Sequence, residues 1–221
     1  MLKTAVIFSW DCLVPAFAEI AGKSWEATAE ANHFAFPRNP LKRSFSYGNA
    51  YTITHIFGWT DDAARVAEIS EERNCMFRRL VEEQGIDAPA GVRAMLLALR
   101  EAKIPCAVIC RDERENIDFV ARVLTIDSLF TAIISPQDDS ASALSEDDFM
   151  HTADALDCAP SEIIVVENSV KNVETAVKLG FKTIAVAAPE MHALFGRAGA
   201  GIVFSKLGEL DLSTLKALRS L

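Results

Sequence analysis

Two textures of hydrophobic and polar residues follow one another along this chain. Residues 4–8, Thr4-Ala5-Val6-Ile7-Phe8, form an apolar run of strand length, the pattern of a strand buried on both faces. From Pro15 to about Ile86 the pattern turns helical, with stretches over 16–32, 50–57 and a long one over 61–83. A Pro-broken loop, Phe36-Pro37-Arg38-Asn39-Pro40, separates the first two. This region has no strand pattern and reads as an all-helical insertion. After Pro89 short apolar runs alternate with helical stretches. Val92, Met95, Leu96 and Leu99 fall at i, i+3, i+4 and i+7, one face of a helix. Strands are predicted at 106–109, 132–134, 163–166, 183–187 and 202–204, with helices at 113–123, at 146–156 and between the last two strands. Ser169 is placed to cap the helix after 163–166, and Gly180 stands where a helix C′ glycine belongs.

Strands that alternate with helices imply a parallel sheet with right-handed crossovers. Ligands of such sheets bind beyond the carboxyl ends of the strands. The fold class expected is therefore α/β, a Rossmann-like parallel-sheet core at 1–14 and 87–221 with a helical cap inserted at 15–86.

Composition narrows the function. The chain has 221 residues, half of them hydrophobic, enough for one generous core or two small ones. Its net charge of -9 repels phosphate backbones and anionic lipid surfaces, so neither nucleic acid nor a membrane is an expected partner. No apolar run reaches the roughly 18 residues of a membrane span. Residues 1–14 carry only Lys3 as a basic start and run straight into a strand, unlike a signal peptide. The five cysteines are odd in number and scattered, as reduced thiols of a cytoplasmic protein would be. No CxxC or Cys/His zinc spacing occurs, and the four histidines are dispersed.

Three segments lie at the predicted strand ends: Val6-Ile7-Phe8-Ser9-Trp10-Asp11-Cys12-Leu13, Ala107-Val108-Ile109-Cys110 and Val165-Val166-Glu167-Asn168-Ser169. With the helix over 91–102 and the strand after Gly180, the chain resembles the haloacid dehalogenase superfamily. The branch it is most similar to is the β-phosphoglucomutase and small-phosphatase group. That resemblance implies phosphoryl transfer on a small phosphorylated metabolite, with Mg²⁺, through an Asp nucleophile and an Asp acid/base in Asp-x-Asp-Gly. It also implies a phosphate-holding Ser or Thr, a Lys and an acidic pair for the metal. The match puts Ser9 at the nucleophile, Asp11 at the acid/base, Cys12 at the glycine and Cys110 at the Ser/Thr. Ala143 stands nearest the Lys, and Glu167 with Asn168 at the acidic pair.

The chemistry implied by the resemblance is thus weakened at several points. Mg²⁺ prefers hard anionic oxygens, and Ser9 and Asn168 remove two of them, so Mg²⁺ is possible but weakened. Without a Lys the site lacks a cation for a phosphate, and groups that act as a unit fail together. The expected protein is a catalytically impaired or inactive relative that binds a ligand or a protein partner. One alternative is an active phosphatase or phosphomutase with an altered mechanism. Another is thiol or redox chemistry through Cys12 and Cys110 beside Asp11.

Plainer readings stand beside these. Asp11 fits a turn in a strand-to-helix loop, and Glu167 fits a surface carboxylate near a helix N-terminus. Trp10 fits packing at a loop tip as well as ligand stacking. Arg73, on the long cap helix, is a substrate-binding candidate by the resemblance and a solvated helix arginine otherwise. Arg38, Lys42 and Arg43 read as a solvated basic loop.

Overall fold

The computed structural model of the chain describes residues 4–37, 47–135 and 144–219. Ala143, Arg38, Lys42 and Arg43 fall outside the described residues. Six strands form one parallel sheet in the order β3-β2-β1-β4-β5-β6. They are β1 (Ala5–Ser9), β2 (Cys106–Ile109), β3 (Ala132–Ile134), β4 (Ile163–Glu167), β5 (Lys182–Val186) and β6 (Ile202–Phe204).

The central strand, β1, pairs with β2 on one side and β4 on the other, so its backbone polar groups are taken up by the ladder. Its side chains alternate between two cores. Val6 and Phe8 enter the larger one, with Val108 of β2 and Ile164 and Val166 of β4. Ala5 and Ile7 enter the other, with Ala107, Ile109, Ile163 and Val165. Burying each large aliphatic or aromatic side chain contributes roughly 1.5–3 kcal/mol, which explains why both faces of β1 read as unbroken apolar sequence. The chain leaves β1 toward β2 and β3 on one side and toward β4, β5 and β6 on the other. The crevice beyond the carboxyl end of β1 is therefore the topological switch point.

Helices connect the strands: α1 (Trp10–Leu13), α2 (Ala16–Ala31), α3 (Asn49–Tyr51), α4 (Ala63–Gln84), α5 (Val92–Glu101), α6 (Arg114–Val123), α7 (Glu146–Ala155), α8 (Val170–Lys178), α9 (His192–Arg197) and α10 (Leu212–Arg219). Between β1 and β2 the described residues contain no strand. The start of α4 is capped by Asp62, whose side chain accepts from the Arg65 amide at 2.8 Å. Ser169 caps α8, and Gly180 follows it with φ +87°, donating its N–H to Val177 O at 3.0 Å.

Two predictions change in the helical region. The stretch predicted as a helix over 50–57 is α3 followed by a π-helical turn, Thr52–Phe57, that ends at Gly58 in the left-handed conformation. Trp10 is not at a loop tip. It opens α1 directly after β1, is fully buried, and meets Phe17 edge-on at 5.9 Å. The upper parts of α2 and α4 share an aromatic core of Trp25, Phe57 and Trp59 with Ile53 and Ile69. Their lower parts join the main core instead, through Phe17, Ile20, Phe77 and Val81.

Candidate functional site

The register of the sheet assembles the site. Ser9 sits opposite Ile109, one residue before Cys110, and Phe8 sits opposite Val166, one residue before Glu167. The three segments singled out by sequence therefore end side by side. Ser9, Asp11, Cys110, Arg111, Asn168 and Asn172 help line a cavity of about 110 Å³ there, room for a few water molecules' worth of ligand (about 30 Å³ each). A wider groove of about 660 Å³ adjoins it, sharing Asp11 and Asn168 and continuing past Cys12, Ala188, Lys206 and Leu207.

Asp11 faces the cavity with an exposed side chain. Protein nonetheless crowds it, and that burial, aided by the Asp112 carboxylate, pushes its pKa up to about 6. Glu167 is fully buried rather than a surface carboxylate. Its Oε2 accepts from the Asn168 and Ser169 amides at 2.8 and 2.9 Å, and its Oε1 accepts from Asn172 Nδ2 at 2.8 Å. Burial pushes its pKa up to about 7 against the pull of those three hydrogen bonds, with Asp11 adding to the rise. Both oxygens are thus engaged in holding the loop that starts α8. Asn172 extends the arrangement by accepting from the Leu144 amide at 3.2 Å.

These residues fit a Mg²⁺ ion poorly. Ser9 offers a neutral hydroxyl, Asn168 a neutral amide, and Glu167 is fully buried, with Oε2 taken by two amides and Oε1 by Asn172 Nδ2. Among the described residues no three His, Cys, Asp or Glu side chains converge to hold a metal. Asp11 is left as the cavity carboxylate near β1, too little anionic oxygen for a hard dication.

The two thiols line different spaces. Cys110 lines the small cavity and Cys12 the wider groove, and both are free. Burial pushes both pKa values well above the usual thiol range. Glu167 and Asp11 add to the rise at Cys12, and Asp11 and Asp112 add to it at Cys110. Neither is therefore a ready thiolate, which weighs against thiol chemistry.

Arg73 is not solvated. Its side chain is 1 % exposed, packed with its guanidinium 5.2 Å from the Trp25 ring and 5.5 Å from Phe77. It pairs through both terminal nitrogens with Asp112, at 3.0 and 2.9 Å. Burial alone would raise the Asp112 carboxyl, but Arg73, Asn116 and the Glu113 amide together hold it below the usual value. Asn116 Nδ2 also donates to Asn74 Oδ1, and Asn49 Nδ2 donates to the same oxygen. This polar network ties α4 to the loop after β2.

Sequence reasoning missed Arg111 and Asp112. They directly follow Cys110 at the carboxyl edge of the sheet, and the strand-end rule was the available signal. Arg111 Nη2 donates to Asp148 Oδ2 at 2.9 Å, with the arginine side chain 9 % exposed.

A family model described as haloacid dehalogenase-like hydrolase matches residues 14–180. The chain is 26 % identical over 215 residues to a 5-amino-6-(5-phospho-D-ribitylamino)uracil phosphatase, chloroplastic, of Arabidopsis thaliana. The match covers 96 % of this chain and 57 % of that protein, so the chain spans little more than half the length of that relative. CbbY of Rhodobacter sphaeroides, solved in complex with phosphate, superposes with a TM-score of 0.81 at 19 % identity, over 98 % of this chain and all of that one. β-Phosphoglucomutase of Clostridium difficile superposes at 0.79 and 15 % identity, over 99 % of this chain and 97 % of that one. Among the described residues no helix is long and apolar enough to cross a membrane. With three quarters of its length matched by the family model, the chain belongs to the haloacid dehalogenase-like hydrolases.

Proposed function

We propose that this chain uses its strand-end cavity to bind a small phosphorylated metabolite and has lost most or all of its family's phosphoryl-transfer chemistry. The observation that carries this is the cavity wall, where Ser9 and Asn168 supply neutral groups, while Glu167 is buried and accepts from three N–H donors. In this reading Ser9 holds the nucleophile position and Asp11 the acid/base position. Cys110 holds the phosphate-binding position, and Ala143 the position of the lost Lys. Glu167 and Asn168 hold the metal positions. Serine is a weak nucleophile without an adjacent base, and the ester it could form would hydrolyse far more slowly than an acyl phosphate.

Residues 15–86 act as the cap over a core of 1–14 and 87–221, and Arg73 serves as a fastening of cap to core. The metabolite class is supported by the printed name of the Arabidopsis relative and by the phosphate bound to CbbY. Five free cysteines fit a reducing compartment such as the cytoplasm.

A second reading, an active phosphatase with an altered mechanism, is favoured by Asp11, whose pKa of about 6 suits a general acid–base near neutrality. The two separate in an assay of the purified protein against sugar phosphates and an aryl phosphate, with and without Mg²⁺. The binding reading expects no turnover above the uncatalysed rate under either condition. Mg²⁺-dependent turnover by the unmodified protein would overturn it.

A further inference from the structure

The family pattern puts the site's cation on a Lys at the start of the helix after β3, and this sequence has none there. Among the described residues lining the small cavity, the positive charge comes instead from Arg111, at the end of β2. Its guanidinium crosses to the first turn of α7 and donates to Asp148 Oδ2 at 2.9 Å. Asp148 is the capping-box residue of that helix, accepting also from the Ser145 amide at 2.8 Å. Arg111 therefore reaches from β2 to the start of α7, the stretch of chain from which the Lys would project. Leu144, next to the vacated position, lines the same cavity.

The surroundings suit an oxyanion. Ser9, Asn168, Ser169 and Asn172 line the same cavity as Arg111, with Ser169 also capping α8 and Asn172 also bonded to Glu167. The Asp112 carboxylate, also on the wall, is already neutralised by Arg73. The Asp11 carboxylate opposes an anion, and Arg111 offsets it only as far as the ligand takes the guanidinium over from Asp148. A guanidinium held nine-tenths out of water binds an oxyanion more strongly than an exposed one, because little water competes.

We infer that Arg111 has taken over the anion-holding role of the missing Lys, so that a phosphate monoester or similar tetrahedral oxyanion binds here by sharing or displacing its contact with Asp148. The inference rests on the proposed reading of the cavity as a phosphate site. Asp148 is then a competitor of the ligand for Arg111. Removing its charge should strengthen anion binding, whereas a purely structural ion pair would be damaged from either side.

Calorimetric titration with inorganic phosphate tests this on the parent and on Arg111→Gln, Arg111→Lys and Asp148→Asn, with melting curves to check folding. Expected are a ~10- to 100-fold weaker phosphate affinity for Arg111→Gln, the range for loss of a charge-assisted hydrogen bond. Arg111→Lys should recover part of it, and Asp148→Asn should bind more tightly than the parent. Equal affinities for parent and Arg111→Gln overturn the inference and leave the phosphate-site reading standing. So does weakening by Asp148→Asn as large as that by Arg111→Gln. A parent that binds no phosphate removes the phosphate-site reading, and the inference with it.

Discussion

Asp112→Asn removes the charge opposite a guanidinium that has almost no access to water. Arg73 is 1 % exposed and Asp112 15 %, and two hydrogen bonds of 2.9–3.0 Å join them. Breaking a buried pair from one side typically costs 3–5 kcal/mol, since the remaining ion stays desolvated. Asn keeps one oxygen that can still accept from Arg73, which places the loss at the low end of that range. The expected loss is therefore about 3 kcal/mol. In urea unfolding with a slope of about 2 kcal/mol/M, the midpoint falls by about 1.5 M. Arg73→Met/Asp112→Asn removes both charges and should regain most of the loss, giving a large coupling term in a double-mutant cycle with the two single variants. Because Asp112 is held below its unfolded value of 3.8, the pair's contribution is complete above that value and fades as pH falls through the folded one. A loss under about 1 kcal/mol for Asp112→Asn, or additive single and double losses, would refute the reasoning.

Other consequences are equally open to measurement. Asp11 is raised from 3.8 to about 6, so its contribution to stability is present below pH 3.8 and is lost as pH rises through about 6. The full shift amounts to about 3 kcal/mol, reduced to about 1–2 because the side chain faces cavity water. Asp11→Asn should thus stabilise the protein by about that amount at pH 8 and leave it unchanged at pH 4. A destabilising effect at pH 8 contradicts the assignment. Millimolar Mg²⁺ should leave the melting temperature of the parent unmoved and raise that of Ser9→Asp/Asn168→Asp; a shift in the parent would show a metal site. Alkylation followed by peptide mass mapping should modify the exposed Cys75 well before Cys12 or Cys110. Fast labelling of either cavity thiol would revive thiol chemistry.

The sheet was legible in the sequence because its inner strands are buried on both faces and its edge strands are half-buried apolar runs. The runs at 4–8 and 183–187 are each one residue out of register with Ala5–Ser9 and Lys182–Val186, and 163–166 stops one residue short of Ile163–Glu167. The strand-end motifs also located the site, since in a parallel sheet the carboxyl ends converge. The polar ties across it were not legible. Arg73 meets Asp112 across 39 residues and Arg111 meets Asp148 across 37, and no local pattern encodes either partner. Arg73 and Glu167 looked solvated because a charged residue in a helix or before one usually is; only tertiary packing supplies the partners that let them be buried. Trp10 misled in a similar way. It follows a strand directly, and its burial depends on Phe17, seven positions on, folding back over it.

The central claim is that the scaffold is intact and the chemistry was lost at Ser9 and Asn168. The direct measurement is the rate of aryl phosphate hydrolysis, with Mg²⁺, by Ser9→Asp/Asn168→Asp beside the unmodified protein. The account predicts Mg²⁺-dependent turnover from the double variant and none from the parent. Mg²⁺-dependent turnover by the parent, or none by the double variant, would contradict it.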